Sequence, residues 1–377
     1  MTHPSPTVIK HKKRKKRIYF TVTTDLTYDQ RMIRICTSLA NAGYEVMLVG
    51  RKVQTSLPLI PQPFRQKRIH CIFEKGKLFY AEFNCRLFLY LLFKKMDIIV
   101  SIDLDTILPV LFITRIKNIM RVYDAHELFC EMKEIVSRPS IYKWWKRIER
   151  YSVPEFIHGY TVNKQIADEF RKMYRVEYPV IRNIALLGEI NSFPKRAHFI
   201  LYQGAVNEGR SFETLIPAMK KVNGKLVICG DGNFMKQAIQ LVKQCQLEGK
   251  VIFKGKVTPE ELRKITTEAY IGITLFDDAG LSNYYSLANR FFDYLQAGIP
   301  QLCVDYPAYR EINDQYQVAV MIKNISAENL AIQLNNLLSN EVMYDTIRQN
   351  CIRAREVFNW QEEGKKLLSF YDKLFAG

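Results

Sequence analysis

Short runs of β-forming apolar residues alternate along this chain with stretches whose apolar positions fall three and four apart, and few architectures accept that order. The first unit is explicit. Ile18 to Val22 reads as a strand, Met32, Ile35 and Leu39 fall at helical spacing, Gly43 closes the helix, and Glu45 to Val49 returns as strand. Further strands are expected at Ile98 to Ile102, Met120 to Tyr123 and Ile157 to Val162. The pattern weakens through LLGEINSFPKRAH, residues 186–198, which reads as a connector. A second series follows, with strands expected at Phe199 to Gln203, Lys225 to Cys229, Val251 to Phe253, Ile271 to Leu275 and Gln301 to Val304.

The order predicts an α/β protein of two doubly wound domains: a basic tail over 1–16, a first domain over 17–185, a second over 199–355, and a C-terminal helix within 356–377 that packs back on the first. Open parallel sheets bind ligands beyond the carboxyl ends of their strands, so a cleft between the domains is the expected site.

At 377 residues the chain exceeds what one hydrophobic core serves. Its longest apolar stretches, Leu87 to Phe93 and Ile107 to Ile113, fall far short of the ~20 residues a spanning helix needs. The basic run HKKRKKR, residues 11–17, resembles the start of a signal peptide, but Thr23, Thr24 and Asp25 interrupt the apolar run behind it. The eight cysteines form no CxxC pair and no cluster with histidine, which argues against a zinc site or disulfide framework and for a reducing, cytoplasmic setting. A net charge of +17 selects anionic partners: nucleotide phosphates, lipid headgroups or nucleic acid. The basic residues are not interleaved with a nucleic-acid recognition motif, which disfavours the last of these.

The segment from Gly280 to Gln301, GLSNYYSLANRFFDYLQAGIPQ, carries the most chemistry. Ser286 is the expected N-cap of a helix with Leu287, Phe291 and Leu295 on one face and Ser286, Asn289, Arg290 and Asp293 on another, stopped by Gly298 and Pro300. The free N–H groups and positive dipole end of such a helix suit a diphosphate. A second phosphate-sized turn is expected in YQGAVNEGRSFETLIPAM, Tyr202 to Met219, with a helix beginning near Ser211.

Here the sequence resembles the large retaining GT-B glycosyltransferase family, which carries an acidic pair around this helix and then an AxGxP turn, matched by Ala297, Gly298 and Pro300. The resemblance implies two Rossmann-like domains and transfer of a sugar from a nucleoside diphosphate sugar, without cofactor or metal. It implies Asp293 at the ribose hydroxyls. The first acidic position falls on Tyr285, and the Arg that usually follows the first glycine of the other turn is Ala205, leaving Arg210 to stabilise the diphosphate. The donor set implied is Gly204, Arg210, Asp231, Gly232, Val257, Ser282, Asn283, Tyr285, Ser286, Leu287, Asn289 and Asp293. Gly230 to Gly232 and Gly255 to Val257, turns ending two strands, are implied to border the base. Asp124 and His126, at the end of another strand, are implied at the reaction centre.

Asp103 and Asp105 form a DxD of the kind that binds metal in a different glycosyltransferase architecture, and that role is not expected here. The turn after the first strand, TVTTDLTYDQR, has no glycine. Trp145 reads as core, whereas Trp144 beside Lys143, Lys146 and Arg147 suits a membrane interface. The setting implied is surface polysaccharide or glycolipid assembly on a glycan or lipid-linked acceptor, with peripheral contact to anionic membrane. The rivals are a nucleotide-sugar epimerase of the same fold and a non-catalytic, basic nucleotide- or nucleic-acid-binding protein.

Overall fold

The computed structural model describes residues 14–27, 29–188, 198–278 and 280–376. Most of the expected tail (1–13) and of the expected connector (189–197) lies outside the described residues. Two six-stranded parallel sheets carry the chain, as the alternating pattern predicts. The first contains β1 (Arg17–Thr21), β2 (Glu45–Lys52), β3 (Arg65–His70), β4 (Ile98–Ile102), β5 (Met120–Ala125) and β6 (Gly159–Thr161), in the order β3-β2-β1-β4-β5-β6. The second contains β7 (Phe199–Gln203), β8 (Lys225–Cys229), β9 (Val251–Gly255), β10 (Ile271–Thr274), β11 (Gln301–Val304) and β12 (Ala319–Ile322), in the order β12-β11-β10-β7-β8-β9. By packing, the chain divides after Tyr123.

Central strands are buried on both faces, so they read as continuous apolar runs: IIVSI in β4 and FILYQ in β7 are almost wholly buried. The two strands that apolar runs do not reveal are edges. In β3, RQKRIH, only Ile69 is fully buried, and β12 leaves Val320 and Met321 half-buried. The helices follow local rules. Asp29 caps Gln30–Asn41 by accepting from the Met32 N–H, and Thr258 caps Pro259–Glu268 through the Glu261 N–H.

The C-terminal helix, Trp360–Ala376, sets Phe370 and Tyr371 edge-on against Tyr160 of β6. Its buried Glu363 accepts from the Arg182 backbone N–H at 2.9 Å and pairs with the Arg182 guanidinium at 3.4 Å.

Two turns of the second sheet are fused by backbone hydrogen bonds. The Val206 N–H donates to Asp231 O, the Phe234 N–H to Val206 O, and the Gly230 N–H to Gly255 O. Gly230, at φ +149, has no room for a side chain because a Cβ there would overlap the Gly204 carbonyl. Gly230→Ala is therefore expected to destabilise the protein by about 1–3 kcal/mol, since backbone has to move. Denaturant unfolding checks this, and an unchanged midpoint would show that the two turns are free to separate.

Candidate active site

In the second sheet the chain runs outward one way through β7, β8 and β9 and the other way through β10, β11 and β12, so the connections diverge between β7 and β10. Such a switch point opens a crevice beyond the carboxyl ends of the strands. The turn Gly204–Ser211 leaves β7 there, and Leu275, Phe276 and Asp277 leave β10.

Two guanidinium groups meet in this crevice. Arg210 lies over the Phe276 ring at 4.4 Å and donates from Nη1 to Asn283 Oδ1 at 2.9 Å. Arg290 lies over Phe276 at 4.8 Å and over Tyr202 at 4.5 Å, and donates from Nη1 to the Gln203 carbonyl at 3.0 Å. Arg290 is 7% exposed. Among the described residues neither guanidinium has a carboxylate at ion-pair distance, and Arg290 Nε and the buried Ser211 hydroxyl have no hydrogen-bond partner. Burial first, and the neighbouring Arg290 charge second, hold the Arg210 guanidinium below its ordinary pKa. Two cations this close without a carboxylate form a site for an anion.

Acidic support reaches Arg210 indirectly, through Asp277, a residue the sequence does not single out. Its carboxylate accepts from Lys133 Nζ at 2.8 Å and Asn283 Nδ2 at 3.1 Å, so a chain of polar contacts runs from Lys133 through Asp277 and Asn283 to Arg210. The hydrogen bond to Asp277 raises the Lys133 pKa. Close packing fixes this arrangement. A Cβ on Gly209 would stand 3.0 Å from Asn283 Nδ2, and the Asp277 N–H donates to Gly209 O.

The helix expected to be capped by Ser286 is capped instead at Ala288 and starts at Asn289. The reason is Tyr309. This fully buried phenol contacts the Ser286 hydroxyl at 3.3 Å and accepts from the Ala288 N–H at 3.0 Å, so Ser286 is engaged away from the helix end. Burial and neighbouring Cys303 push Tyr309 up to about 12, which keeps it protonated. One turn of helix, Leu281–Tyr284, precedes this segment, and Asn163 Nδ2 donates to the Tyr285 carbonyl at 2.7 Å while its Oδ1 caps the helix Lys164–Tyr174.

The expected donor residues fall into three groups. Gly204, Arg210, Asn283 and Asp293 surround the switch point: Gln203, the last residue of β7, donates to Asp293 Oδ2 at 2.7 Å and accepts from the Thr266 hydroxyl. Asp231 and Gly232 lie in the fused turns, with Asp231 exposed, and Val257 packs on the core patch around Leu201 and Tyr294. Ser282, Tyr285, Ser286 and Leu287 lie between β10 and the helix Asn289–Gln296, and exposed Asn289 opens that helix. Asp124, the penultimate residue of β5, is fully buried, with half-buried His126 in the turn behind the strand.

Arg290 is the functional candidate that sequence reading passes over. Its position on the Asp293 face of the helix is visible in the sequence, but a helical Arg ordinarily faces solvent and nothing local announces its burial.

Residues 187–355 match the family described as glycosyl transferases group 1. No curated protein matches the sequence. Among solved structures, sucrose-phosphate synthase from Thermosynechococcus elongatus superposes with a TM-score of 0.79 at 16% identity, covering 96% of this chain and 100% of the other. Anabaena HepE in complex with UDP and glucose gives 0.75 at 12% identity, over 95% and 100% of the two chains. WaaG, a glycosyltransferase involved in lipopolysaccharide biosynthesis, gives 0.67 at 16%, over 93% and 98%. These likenesses are of fold, and the switch-point residues lie inside the matched segment. The family match spans the second sheet and its helices, and the chain as a whole takes the GT-B fold of these structures.

Proposed function

We propose that this protein transfers a hexose-type sugar from a nucleoside diphosphate sugar to a glycan or lipid-linked acceptor, with retention of configuration. The observation that carries this reading is the pair of guanidinium groups of half-buried Arg210 and buried Arg290, which both lie over the Phe276 ring and, among the described residues, have no carboxylate at ion-pair distance. They hold the donor diphosphate and supply positive charge where a metal ion would otherwise be needed. Asp293, oriented by Gln203, takes the ribose hydroxyls, and the turns Gly230–Gly232 and Gly255–Val257 border the base. The segment Ser282–Asn289 lies along the sugar and phosphates, and His126 positions the transferred sugar or the acceptor. Asp124 is sealed from solvent, so its carboxylate acts through its neighbours.

In this reading the acceptor attacks on the face the diphosphate leaves, and a donor phosphate oxygen helps take its proton, a step that calls for no protein base. The bound UDP and glucose of HepE, on the same fold, support a nucleotide-sugar donor, and WaaG's part in lipopolysaccharide assembly supports a surface glycan as the setting.

A thermal-shift screen across uridine, guanosine, adenosine and thymidine diphosphate sugars tests the reading. A ligand at 100 times its Kd stabilises the folded state by about 2.7 kcal/mol, so one nucleotide class should stand out. Product analysis with that donor should then show transfer to an acceptor with the anomeric configuration kept. If no nucleotide sugar stabilises the protein, the donor site is misassigned. Conversion to a different nucleotide sugar without acceptor would instead make the protein an epimerase.

A further inference from the structure

The helix Gly76–Leu92 buries Phe79, Phe83, Leu87 and Leu91, a stripe at four-residue spacing that accounts for its packing. It carries a second apolar stripe that packing does not explain. Leu78, Leu89 and Phe93 fall on one exposed face, and Phe93 is 81% exposed. The neighbouring helix Ile107–Lys117 packs against it and likewise turns Phe112 and Ile116 outward. Ahead of the first helix, Ile72, 73% exposed, and Phe73 also point to solvent.

That last pair is held in place. Glu82 accepts from the backbone N–H groups of Ile72 and Phe73, each at 2.9 Å, and pairs with Arg86 at 2.7 Å. Two backbone donors that would resist leaving water are thereby satisfied within the protein. The charge around the stripe is one-sided: residues 72–95 and 107–117 carry Lys75, Lys77, Arg86, Lys94, Lys95, Arg115 and Lys117 against only Glu74 and Glu82. Lys94 lies 5.0 Å over the Tyr90 ring, with its ammonium at the edge of the apolar stripe.

We propose that this outward face docks the protein on an anionic lipid surface, with Ile72, Phe73, Leu89 and Phe93 entering the headgroup region and the lysines pairing with lipid phosphates. Apolar side chains ringed by cations fit such a surface better than they fit a protein partner, whose interface core excludes lysine. The face lies outside the donor-binding segments, so the proposal does not depend on the donor reading and is tested without nucleotide.

The full chain should co-sediment with phosphatidylglycerol-containing vesicles and not with pure phosphatidylcholine. Leu89→Glu/Phe93→Glu should lower that partitioning at least tenfold, while thermal stability remains that of the parent. A gentler variant guards against misfolding: Phe93→Trp should show additional blue-shifted emission on anionic vesicles, since the new indole moves out of water. The proposal is overturned by equal partitioning of the double variant and the parent, which would place the contact on other basic segments. It is equally overturned by no vesicle binding at all, by an unshifted Phe93→Trp emission, or by a parent dimer that the double variant makes monomeric, which would assign the face to a second copy.

Discussion

Arg210→Ala is expected to lower turnover by about 10²–10³-fold, the loss typical when one preorganised donor to a developing negative charge is removed, and to weaken nucleoside diphosphate binding as well. As the glycosidic bond breaks, negative charge gathers on the departing diphosphate, so a fixed cation there interacts more strongly with the transition state than with the bound donor. Arg210 is fixed by two contacts, Phe276 at the guanidinium and Asn283 on Nη1, and the Asp277–Lys133 pair holds Asn283 in turn. Asn283→Ala should reproduce part of the effect by loosening the charge without removing it. Arg210→Lys should recover only a fraction, because an ammonium keeps the charge but loses the planar fork that bonds two oxygens. Steady-state kinetics with the donor found by thermal shift, together with the diphosphate Kd of each variant, separate the two contributions. A wild-type turnover in Arg210→Ala would remove the residue from the reaction.

The fold was largely legible in the sequence because it rests on strands buried on both faces. Such strands must be apolar throughout, and β1, β4, β7, β8 and β11 announce themselves that way. The edge strand RQKRIH buries one apolar side chain of six residues, which leaves no periodicity to read. In the active-site segment, the tertiary contact from Tyr309 overrode the local capping preference of Ser286 and shifted the cap by two residues to Ala288, so that the helix starts at Asn289. A phenol arriving from 23 positions further on cannot be seen in a local pattern. The same holds for Asp277 and Lys133, whose partnership joins residues 144 apart. Turn glycines, by contrast, were legible as turns, and the structure supplies the reason for two of them: Gly230 and Gly232 face the backbone of Gly204 and Val206, which leaves no space for a Cβ.

Arg290→Met should separate function from stability, since the two are expected to move apart. A charge taken from water without a carboxylate costs several kcal/mol even after relaxation. Arg290 recovers part of that through one charge-assisted hydrogen bond to the Gln203 carbonyl, worth about 1.5–3 kcal/mol, and through two cation–π contacts of about 0.5–2 kcal/mol each, to Tyr202 and Phe276. Methionine fills similar space, keeps favourable contact with both rings and requires no counter-charge. The terms nearly cancel, so the ligand-free protein should change in stability by no more than about 1 kcal/mol, with either sign. Diphosphate binding has no such compensation. The Arg290 guanidinium borders the exposed Gly204 turn, where a Cβ on Gly204 would stand 3.2 Å from Nη1, and removing one partner of a desolvated charge pair costs about 2–5 kcal/mol. The protein should therefore melt as before but lose its stabilisation by the nucleotide. If Arg290 served packing alone, the order would reverse: the ligand-free protein would melt several degrees lower, and the fraction that stays folded would bind the diphosphate with parental affinity. That second pattern would leave Arg210 as the sole cation on the donor and assign Arg290 to the core between β7 and β10.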